Sequence, residues 1–415
     1  MFDWLFLLIS YLPFQIALNP SDGFDLASLR VFILILFFFW LIKKKSSFPL
    51  YNIQALGLIF FLLLSGISLF GAEHFSWGVR KMVYFLSIFP LYFLTVNLVN
   101  SFEKVKKIVL ALITSGFIIA LIGFFQFVFQ FVFSLEKVYS FWLMNILPVF
   151  SGFNLGAMIM AYPSWLVNIK GETIMRAFSL FSDPHIFSFY LGLLFPLLIC
   201  LKKRKLFISS YFLFLIGISL SFSRGAYLAL IISFIFLAFL SWKYLDRKGI
   251  SWLLLASLLI FIIPITPISD RFYSTFNLSE GSNQGRLEMW EQASQTGLNN
   301  FWQGVGLGNY SSSIRTDFGY RNPVTAHNLY LDIFSEMGVF ALIVWLILIF
   351  GTIGYLFERI KEIDFEKKCY LIALAGSLVY LSVHSFFETP LYSPVVLSIL
   401  MILFGLSTYF LKEND

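Results

Sequence analysis

The sequence contains few charged residues and almost no cysteine. Charged residues make up 13% of its 415 positions and hydrophobic residues 59%, whereas an average soluble domain is roughly 25% charged. This balance excludes an ordinary soluble domain and predicts that most of the chain lies in lipid. The two cysteines exclude a disulfide framework, and no disulfide is expected because both lie at predicted cytoplasmic helix ends.

Sequence motifs for metal or nucleotide chemistry are also missing. The predicted outer segments contain no phosphate-binding loop, no His-Glu-x-x-His pair, no cysteine cluster and no Asp-x-Asp. The net charge of +6 does not by itself imply a nucleic-acid partner, because the basic residues are collected in particular connections. We therefore expect no metal, no cofactor and no nucleic acid.

Long apolar runs dominate what is present. Several approach the roughly 20 residues that cross a hydrocarbon core, and in lipid such runs must be helical because no water satisfies their backbone groups. The pattern predicts an all-α integral membrane protein with about twelve transmembrane helices. The predicted helices lie near residues 4–18, 27–42, 54–70, 82–99, 108–133, 185–201, 206–222, 225–241, 250–268, 328–357, 369–387 and 392–411.

The basic residues predict the orientation of these helices. Lys and Arg cluster in alternate connections, beginning around Lys43 and Lys104. Because cytoplasmic loops collect such residues, both termini are expected in the cytoplasm and all four histidines on the outer side. The single membrane domain, residues 1–415, then carries an extracytoplasmic interfacial segment at 134–184, with interfacial helices, and a large extracytoplasmic loop at 269–327 between helices nine and ten.

Three polar residues at the outer helix ends are candidates for chemistry. Arg224 lies in a tight turn between two short helices, where it either meets an anion or a wet cavity, or simply snorkels to the interface. Arg286 opens a short amphipathic helix predicted over about 286–297, although a surface ion pair with Glu288 would also explain it. His327 begins helix ten, as an interfacial cap or as a reactive group.

A polar stripe descends into helix ten. Asn328, Asp332 and Glu336 recur every four residues, so they share one helix face. Lipid disfavours such a face, which predicts that it points into the bundle or a hydrated cavity. We expect these residues to position the groups that contact the substrate, although hydrogen bonding that only stabilises the fold is the commoner role of buried polar residues. The remaining outer candidates are Arg176, Asp183, His185, Arg315 and Arg321.

The order of short motifs between about residues 174 and 350 is informative. They are Arg176 with Phe178 and Ser182-Asp183-Pro184, the turn Ser223-Arg224-Gly225, Gly285-Arg286 through Trp290, Gly304-Val305-Gly306-Leu307-Gly308-Asn309, and His327-Asn328 through Glu336-x-Gly338. In this order, the chain resembles the O-antigen ligase and polymerase superfamily of bacterial envelope glycan transferases. His185 is a departure, because relatives often have Asn at its position.

This resemblance implies a function and a location. The protein would take a glycan from undecaprenyl diphosphate and transfer it to an acceptor sugar hydroxyl, on lipid A core or a similar glycan. It would lie in the bacterial cytoplasmic (inner) membrane as a multi-pass, metal-independent glycosyltransferase whose site faces the periplasm or the cell exterior. Its partners would be the lipid-linked donor, the acceptor and the bilayer.

The resemblance also implies roles for individual residues. Arg224 and Arg286 match the arginines that bind the diphosphate, and His327 matches the histidine beside the acceptor. Arginines donate paired hydrogen bonds that strengthen as a diphosphate leaves, and a histidine can accept the hydroxyl proton near neutral pH. Further substrate-binding candidates are Arg176, His185, Arg315 and Arg321.

Two other functions stay open at the level of sequence. A repeat-unit polymerase of the same superfamily would transfer the glycan to another lipid-linked repeat. A lipid-linked sugar transporter or flippase would need ionisable groups near several helix midpoints, and here the polar residues collect at the outer ends, with Glu336 as the main exception.

Overall fold

The computed structural model describes residues 1–21, 24–43, 52–153, 164–169, 171–245, 247–262, 267–277, 279, 281–314 and 325–412. Within these ranges the chain is mostly helical. Its strands form two small antiparallel hairpins, one of β1 (Ala17–Ser21) with β2 (Phe24–Ala27) and one of β3 (Leu166–Ile169) with β4 (Glu172–Met175).

The α-helices follow the apolar runs of the sequence. In the first part of the chain they are α1 Phe2–Tyr11, α2 Ser28–Lys43, α3 Ile53–Ser68, α4 Phe75–Ile88, α5 Pro90–Leu98, α6 Phe102–Phe133, α7 Leu135–Phe141 and α8 Leu147–Ser151. In the second part they are α9 Pro184–Leu194, α10 Arg204–Leu220, α11 Arg224–Leu245, α12 Lys248–Ser257, α13 Leu259–Ile262, α14 Pro267–Tyr273, α15 Gly281–Asn299, α16 Tyr310–Ile314, α17 Leu329–Arg359, α18 Phe365–His384 and α19 Pro394–Lys412.

Shorter helical turns extend or join these helices. The 3-10 turns are Leu12–Phe14, Leu69–Gly71, Phe195–Cys200, Ser274–Phe276 and Pro390–Tyr392, and a π-helical turn covers Trp142–Ile146. All twelve predicted apolar helices overlap helical segments. Their exact bounds differ, and the first is a ten-residue helix followed by a 3-10 turn and a strand, not a continuous helix over 4–18.

Five helical segments in the described part of the chain are long and apolar enough to cross a membrane. They are Ile53–Gly71, Phe75–Leu98, Phe102–Phe133, Arg224–Leu245 and Leu329–Arg359. Shorter apolar helices cover Phe2–Phe14, Pro184–Cys200 and Pro394–Phe410. The fold is therefore that of an α-helical, multi-pass membrane protein, while the number of twelve spans and their orientation stay predictions.

The centre of the bundle is formed by α18 and α19, which are buried on most faces. α11 packs along α18, α17 packs along α3, and α19 is enclosed over most of its length. Outer helices instead expose large apolar side chains such as Phe38 and Phe131. This distribution is expected where the surrounding solvent is lipid, because an exposed phenylalanine costs little there.

A glycine-rich loop packs against a break in α17. Gly338 has a φ of 77° inside this helix, which interrupts its regular hydrogen bonds, and Val305 N and Gly306 N donate to the carbonyls of Ser335 and Glu336 at 2.9 and 3.0 Å. A Cβ atom on Gly304 would lie 2.3 Å from the Glu336 backbone. The Gly304–Gly308 motif and Gly338 are thus two halves of one close backbone contact.

The outer segments differ from the sequence predictions in two places. The hairpin β3–β4 lies inside the interfacial segment 134–184, for which only helices were predicted; Val167 and Ile169 pack on Phe222, and the turn at Gly171 has a φ of 91°. Helices do occur over 135–151, and residues 154–163 lie outside the described ranges.

The amphipathic helix of the large outer loop begins earlier than expected. It starts at Gly281 rather than at Arg286, so the glycine- and serine-containing stretch is helical. Tertiary contacts hold its first turn, since Ser282 Oγ accepts from Arg224 Nη2 and Asn283 Nδ2 donates to the carbonyl oxygens of Ser274 and Asn277. Packing of this kind overrides the weak helix propensity of glycine.

Candidate active site

Glu388 lies at the centre of a cluster of cationic and imidazole side chains. It belongs to the short connection between α18 and α19 and is 8% exposed. Arg286 Nη2 donates to its Oε1 at 2.5 Å, and His327 Nδ1 lies 2.7 Å from its Oε2. His185 Nε2 lies 3.4 Å from Oε1. One carboxylate therefore joins residues from α9, α15, and the turn before α17.

This cluster forms part of the wall of a cavity of about 470 Å³. Arg286, His327, Glu388 and His185 all line it, together with Ser282 from the start of α15. A cavity of this size is within the range of about 300–1,000 Å³ that is usual for ligand sites. The polar groups converge on a space large enough for a substrate group.

The backbone around His327 is held in an uncommon conformation. The backbone of His327 has a φ of 49°, a value that residues other than glycine rarely adopt. On one side, Ala326 N donates to Asp332 Oδ1 at 2.8 Å, and on the other, Leu329 N donates to Ser385 O at 2.9 Å. Strained residues that are fixed by their neighbours are typical of functional sites.

Electrostatic interactions within the cluster set its charge state. The carboxylate of Glu388 raises the pKa of His327 above its ordinary value of 6.5, against the opposing effect of burial. Burial alone would raise the pKa of Glu388, but His185, His327 and Arg286 together hold it well below its usual range. Glu388 is therefore ionised at neutral pH, and its negative charge favours the protonated form of His327.

His185 is positioned by the start of α9. Asp183 caps this helix by accepting from His185 N at 2.6 Å, and Pro184 occupies its first position, so the Ser-Asp-Pro-His segment is a helix start. The imidazole then contacts Ser223 Oγ through Nδ1 at 2.8 Å. His185, the departure from the family pattern, is thus part of the cavity wall and of the cluster.

Arg176 contacts His185 but does not line the cavity. Its Nη2 lies 3.4 Å from His185 Nε2, while its Nε and Nη1 donate to the carbonyls of Ser221 and Ser164 at 2.7 and 3.0 Å. Burial lowers the pKa of Arg176 to about 10, which leaves it protonated at neutral pH. Its position suits it to hold the 221–224 turn and His185 in place.

Arg224 does not line the cavity itself but bonds to a residue that does. It begins α11, is 4% exposed, and its Nη2 donates to Ser282 Oγ at 2.8 Å. Its Nη1 lies 3.4 Å from both Ser274 O and Ser274 Oγ. Of the three residues expected to carry catalysis, Arg286 and His327 thus share one carboxylate, and Arg224 contacts Ser282, which lines the same cavity.

The polar stripe of α17 is buried, as predicted. Asn328 caps the helix by accepting from Tyr330 N and Leu331 N, and Asp332 accepts from Ala326 N and from the Thr389 hydroxyl. Asn328 and Asp332 therefore fix the segments that carry His327 and Glu388. Glu336, farther along, pairs instead with Lys81 and lies near the Tyr392 hydroxyl.

Two residues of this region were not identified from the sequence. Glu388 lies in Phe386-Phe387-Glu388-Thr389-Pro390, where a single carboxylate between two apolar helices was the available signal. Lys81 lies at the edge of a predicted helix and pairs with Glu336, which is 255 residues away.

Two predicted substrate-binding residues, Arg315 and Arg321, lie outside the described residues. Within those residues, no group of three or more His, Cys, Asp or Glu is arranged to hold a metal ion.

These features define a multi-pass membrane protein with a polar, arginine- and histidine-lined cavity at its helix ends. The O-antigen ligase family model matches residues 209–346, a segment that contains Arg224, Arg286 and His327. The match confirms the predicted resemblance to the O-antigen ligase and polymerase superfamily over this segment. Glu388, His185 and Arg176 lie outside the matched segment. No curated protein matches the chain.

Proposed function

We propose that this protein is an O-antigen ligase-like glycosyltransferase. It transfers a glycan from undecaprenyl diphosphate to a sugar hydroxyl of an acceptor, lipid A core or a similar glycan, on the outer face of the cytoplasmic membrane. The observation that carries the proposal is the placement of Arg286 and His327 on one carboxylate, Glu388, in the wall of the 470 Å³ cavity. The family match supports this class of activity.

His327 acts as the general base. With a proton on Nδ1 that it donates to Glu388, the imidazole presents Nε2 as the acceptor for the proton of the attacking hydroxyl. The hydroxyl oxygen then bonds to the anomeric carbon while the bond from that carbon to the diphosphate oxygen breaks. Glu388 holds the ring in orientation and stabilises the imidazolium that forms, as the carboxylate does in a Ser-His-Asp triad.

Arg286 and Arg224 act on the departing diphosphate. Negative charge grows on the leaving oxygens as the glycosidic bond breaks, so guanidinium donors stabilise the transition state more than the bound substrate. Arg286 reaches the cavity directly, whereas Arg224 is held next to it through Ser282. Both residues provide charge without a metal ion, and the reaction is proposed to be metal-independent.

Transfer by the purified protein is the direct test. Lipid-linked glycan extracted from a strain that lacks this protein serves as the donor, with purified lipid A core as the acceptor. We expect transfer that persists in the presence of a chelator and is lost in Arg286→Ala and His327→Ala. Full activity in both variants would reject the assigned roles, and loss of activity with the chelator would reject the metal-free reaction.

The strain that lacks this protein separates the ligase from the polymerase. A missing ligase leaves long lipid-linked polymer without attachment, and this is the expected result. Accumulation of single lipid-linked repeats would instead identify a polymerase. A strain that retains its lipid-linked glycan on the cytoplasmic leaflet would contradict both and identify a flippase.

A further inference from the structure

A second cavity of about 290 Å³ lies beside the proposed reaction site. Ile186 lines both cavities, and the two are bordered by consecutive residues, with Ser182 on the second and Asp183 on the first. The second cavity is also lined by residues from the segment that follows α1, from β2 and from α2. Two cavities that share a wall offer adjacent places for neighbouring parts of one ligand, or for two ligands that react.

The wall of the second cavity carries hydrogen-bond acceptors as well as a cation. Gln15 Nε2 donates to Phe150 O at 2.9 Å, and among the described residues the buried Oε1 of the same amide has no hydrogen-bond partner. Asp25 adds a carboxylate, and Arg30, whose Nε donates to Ser87 Oγ at 2.7 Å, adds a guanidinium. A buried amide oxygen without a partner costs free energy unless a ligand donates to it.

This combination favours a polyhydroxyl ligand over a phosphate. The diphosphate of a lipid-linked glycan brings only acceptor oxygens, so it would be repelled by Asp25 and would leave Gln15 Oε1 unsatisfied. Sugar hydroxyls both donate and accept, so different hydroxyls of one sugar can donate to the amide oxygen and to the carboxylate and accept from the guanidinium. Tyr84 and Phe181 supply the apolar ring surface against which the C–H face of a sugar packs.

The volume limits how much of a glycan can enter. At about 290 Å³ the cavity is at the low end of the range of about 300–1,000 Å³ found for ligand sites, so it accommodates a single sugar unit, not a chain. From these observations we propose that the second cavity binds one sugar unit of a glycan substrate, with Gln15, Asp25 and Arg30 as its specificity-determining residues. This inference rests on the proposed glycan transfer, because that function provides the ligand.

Equilibrium binding gives a test that does not require transfer. The probe is radiolabelled lipid-linked glycan, extracted from a strain that lacks this protein, and purified acceptor glycolipid forms a parallel arm. We expect Gln15→Met and Arg30→Met each to weaken binding of one of the two ligands by roughly ten-fold, the effect of losing one good hydrogen bond. The ligand that is affected identifies the sugar as part of the donor or of the acceptor.

A cavity-filling variant and a matched control complete the design. Ser151→Trp places a large ring in the second cavity and should weaken the same ligand without loss of folded protein, which is checked by thermal unfolding in detergent. Arg204→Met, at the start of α10 and outside both cavities, should leave both affinities unchanged. In steady-state assays, the cavity variants should raise KM for that substrate while kcat stays within about three-fold, the mark of a binding contact.

The outcomes separate the two proposals. A wild-type protein that binds glycan, with variants that bind it less well, supports the sugar subsite even where transfer is absent, in which case only the assigned reaction falls. Unchanged affinity for both ligands in Gln15→Met, Arg30→Met and Ser151→Trp would overturn the subsite, whether or not the protein transfers glycan.

Discussion

Two carboxylates near the N-terminal end of α17 have cationic partners, but their surroundings differ. Glu388 contacts Arg286 and His327 in the wall of a cavity, whereas Glu336 pairs with Lys81 between helices and lines neither cavity. Lys81 Nζ also lies 3.9 Å from the centre of the Tyr392 ring, which encloses the pair further. The comparison teaches that access to a ligand, not the presence of an ion pair, distinguishes a reaction site from a structural contact.

The largest expected effect distinguishes His327, in the cluster around Glu388, from a histidine outside that cluster. His327→Ala should lower kcat by roughly 10²- to 10⁴-fold, because general base catalysis contributes about that much. The matched control is His74→Ala, whose ring stacks on Trp77 away from the cluster and should be dispensable for transfer. Transfer assays in detergent measure both, and equal losses in the two variants would remove the special role of His327.

The enclosed pair should respond in stability. Lys81→Met leaves Glu336 as a buried charge without its cation and should lower the free energy of unfolding by about 3–5 kcal/mol. The double variant Lys81→Met/Glu336→Gln should recover much of this loss. Lys106→Met, which breaks an exposed pair with Glu103, should scarcely change the melting temperature. Normal stability of Lys81→Met together with loss of transfer would place Lys81 in the reaction instead.

A third prediction concerns pH. His327 is active as a base only when neutral, and Glu388 raises its pKa above 6.5, so wild-type kcat should rise with pH through a midpoint above that value. Glu388→Gln removes the raising charge, and the midpoint should move to lower pH. We also expect kcat at the optimum to fall by about 10- to 100-fold as ring orientation is lost. A pH profile of Glu388→Gln identical to that of the wild type would show that the pH dependence does not come from His327.

The smallest expected effect tests how the segment that carries His327 is held in place. The Thr389 hydroxyl donates to Asp332, which in turn fixes the backbone before His327. Thr389→Val removes this bond with little change in volume and should lower kcat by only about three- to ten-fold, the cost of roughly one hydrogen bond. A change in KM alone would indicate that Thr389 contacts substrate rather than positioning His327.

Part of the site was accessible to sequence reasoning. Arg286 and His327 were identified through the order of motifs shared with the O-antigen ligase and polymerase superfamily. The stripe from Asn328 to Glu336 was identified because polar side chains are costly in lipid. The pairing partners were not accessible. Glu388 is 61 residues from His327 and 102 from Arg286, and no local period connects positions that far apart.

Secondary structure shows the same division. The apolar helices were predicted because lipid leaves a spanning segment no other way to satisfy its backbone. The β3–β4 hairpin and the early start of α15 were missed because both depend on contacts with distant residues, namely Phe222 and Arg224. In the short segments between the apolar helices, the solvent does not force one secondary structure. Their secondary structure is therefore decided by tertiary packing.

The sequence alone determined that this protein crosses a membrane several times, since transfer of its long apolar runs into lipid outweighs every local preference. It also determined which arginines and histidines stand at the helix ends. Only the tertiary structure decided that Arg286 and His327 meet on Glu388 while Lys81 and Glu336 are enclosed. The physical reason is that lipid stabilises every apolar helix about equally, so close packing and a few polar contacts select which helices become neighbours.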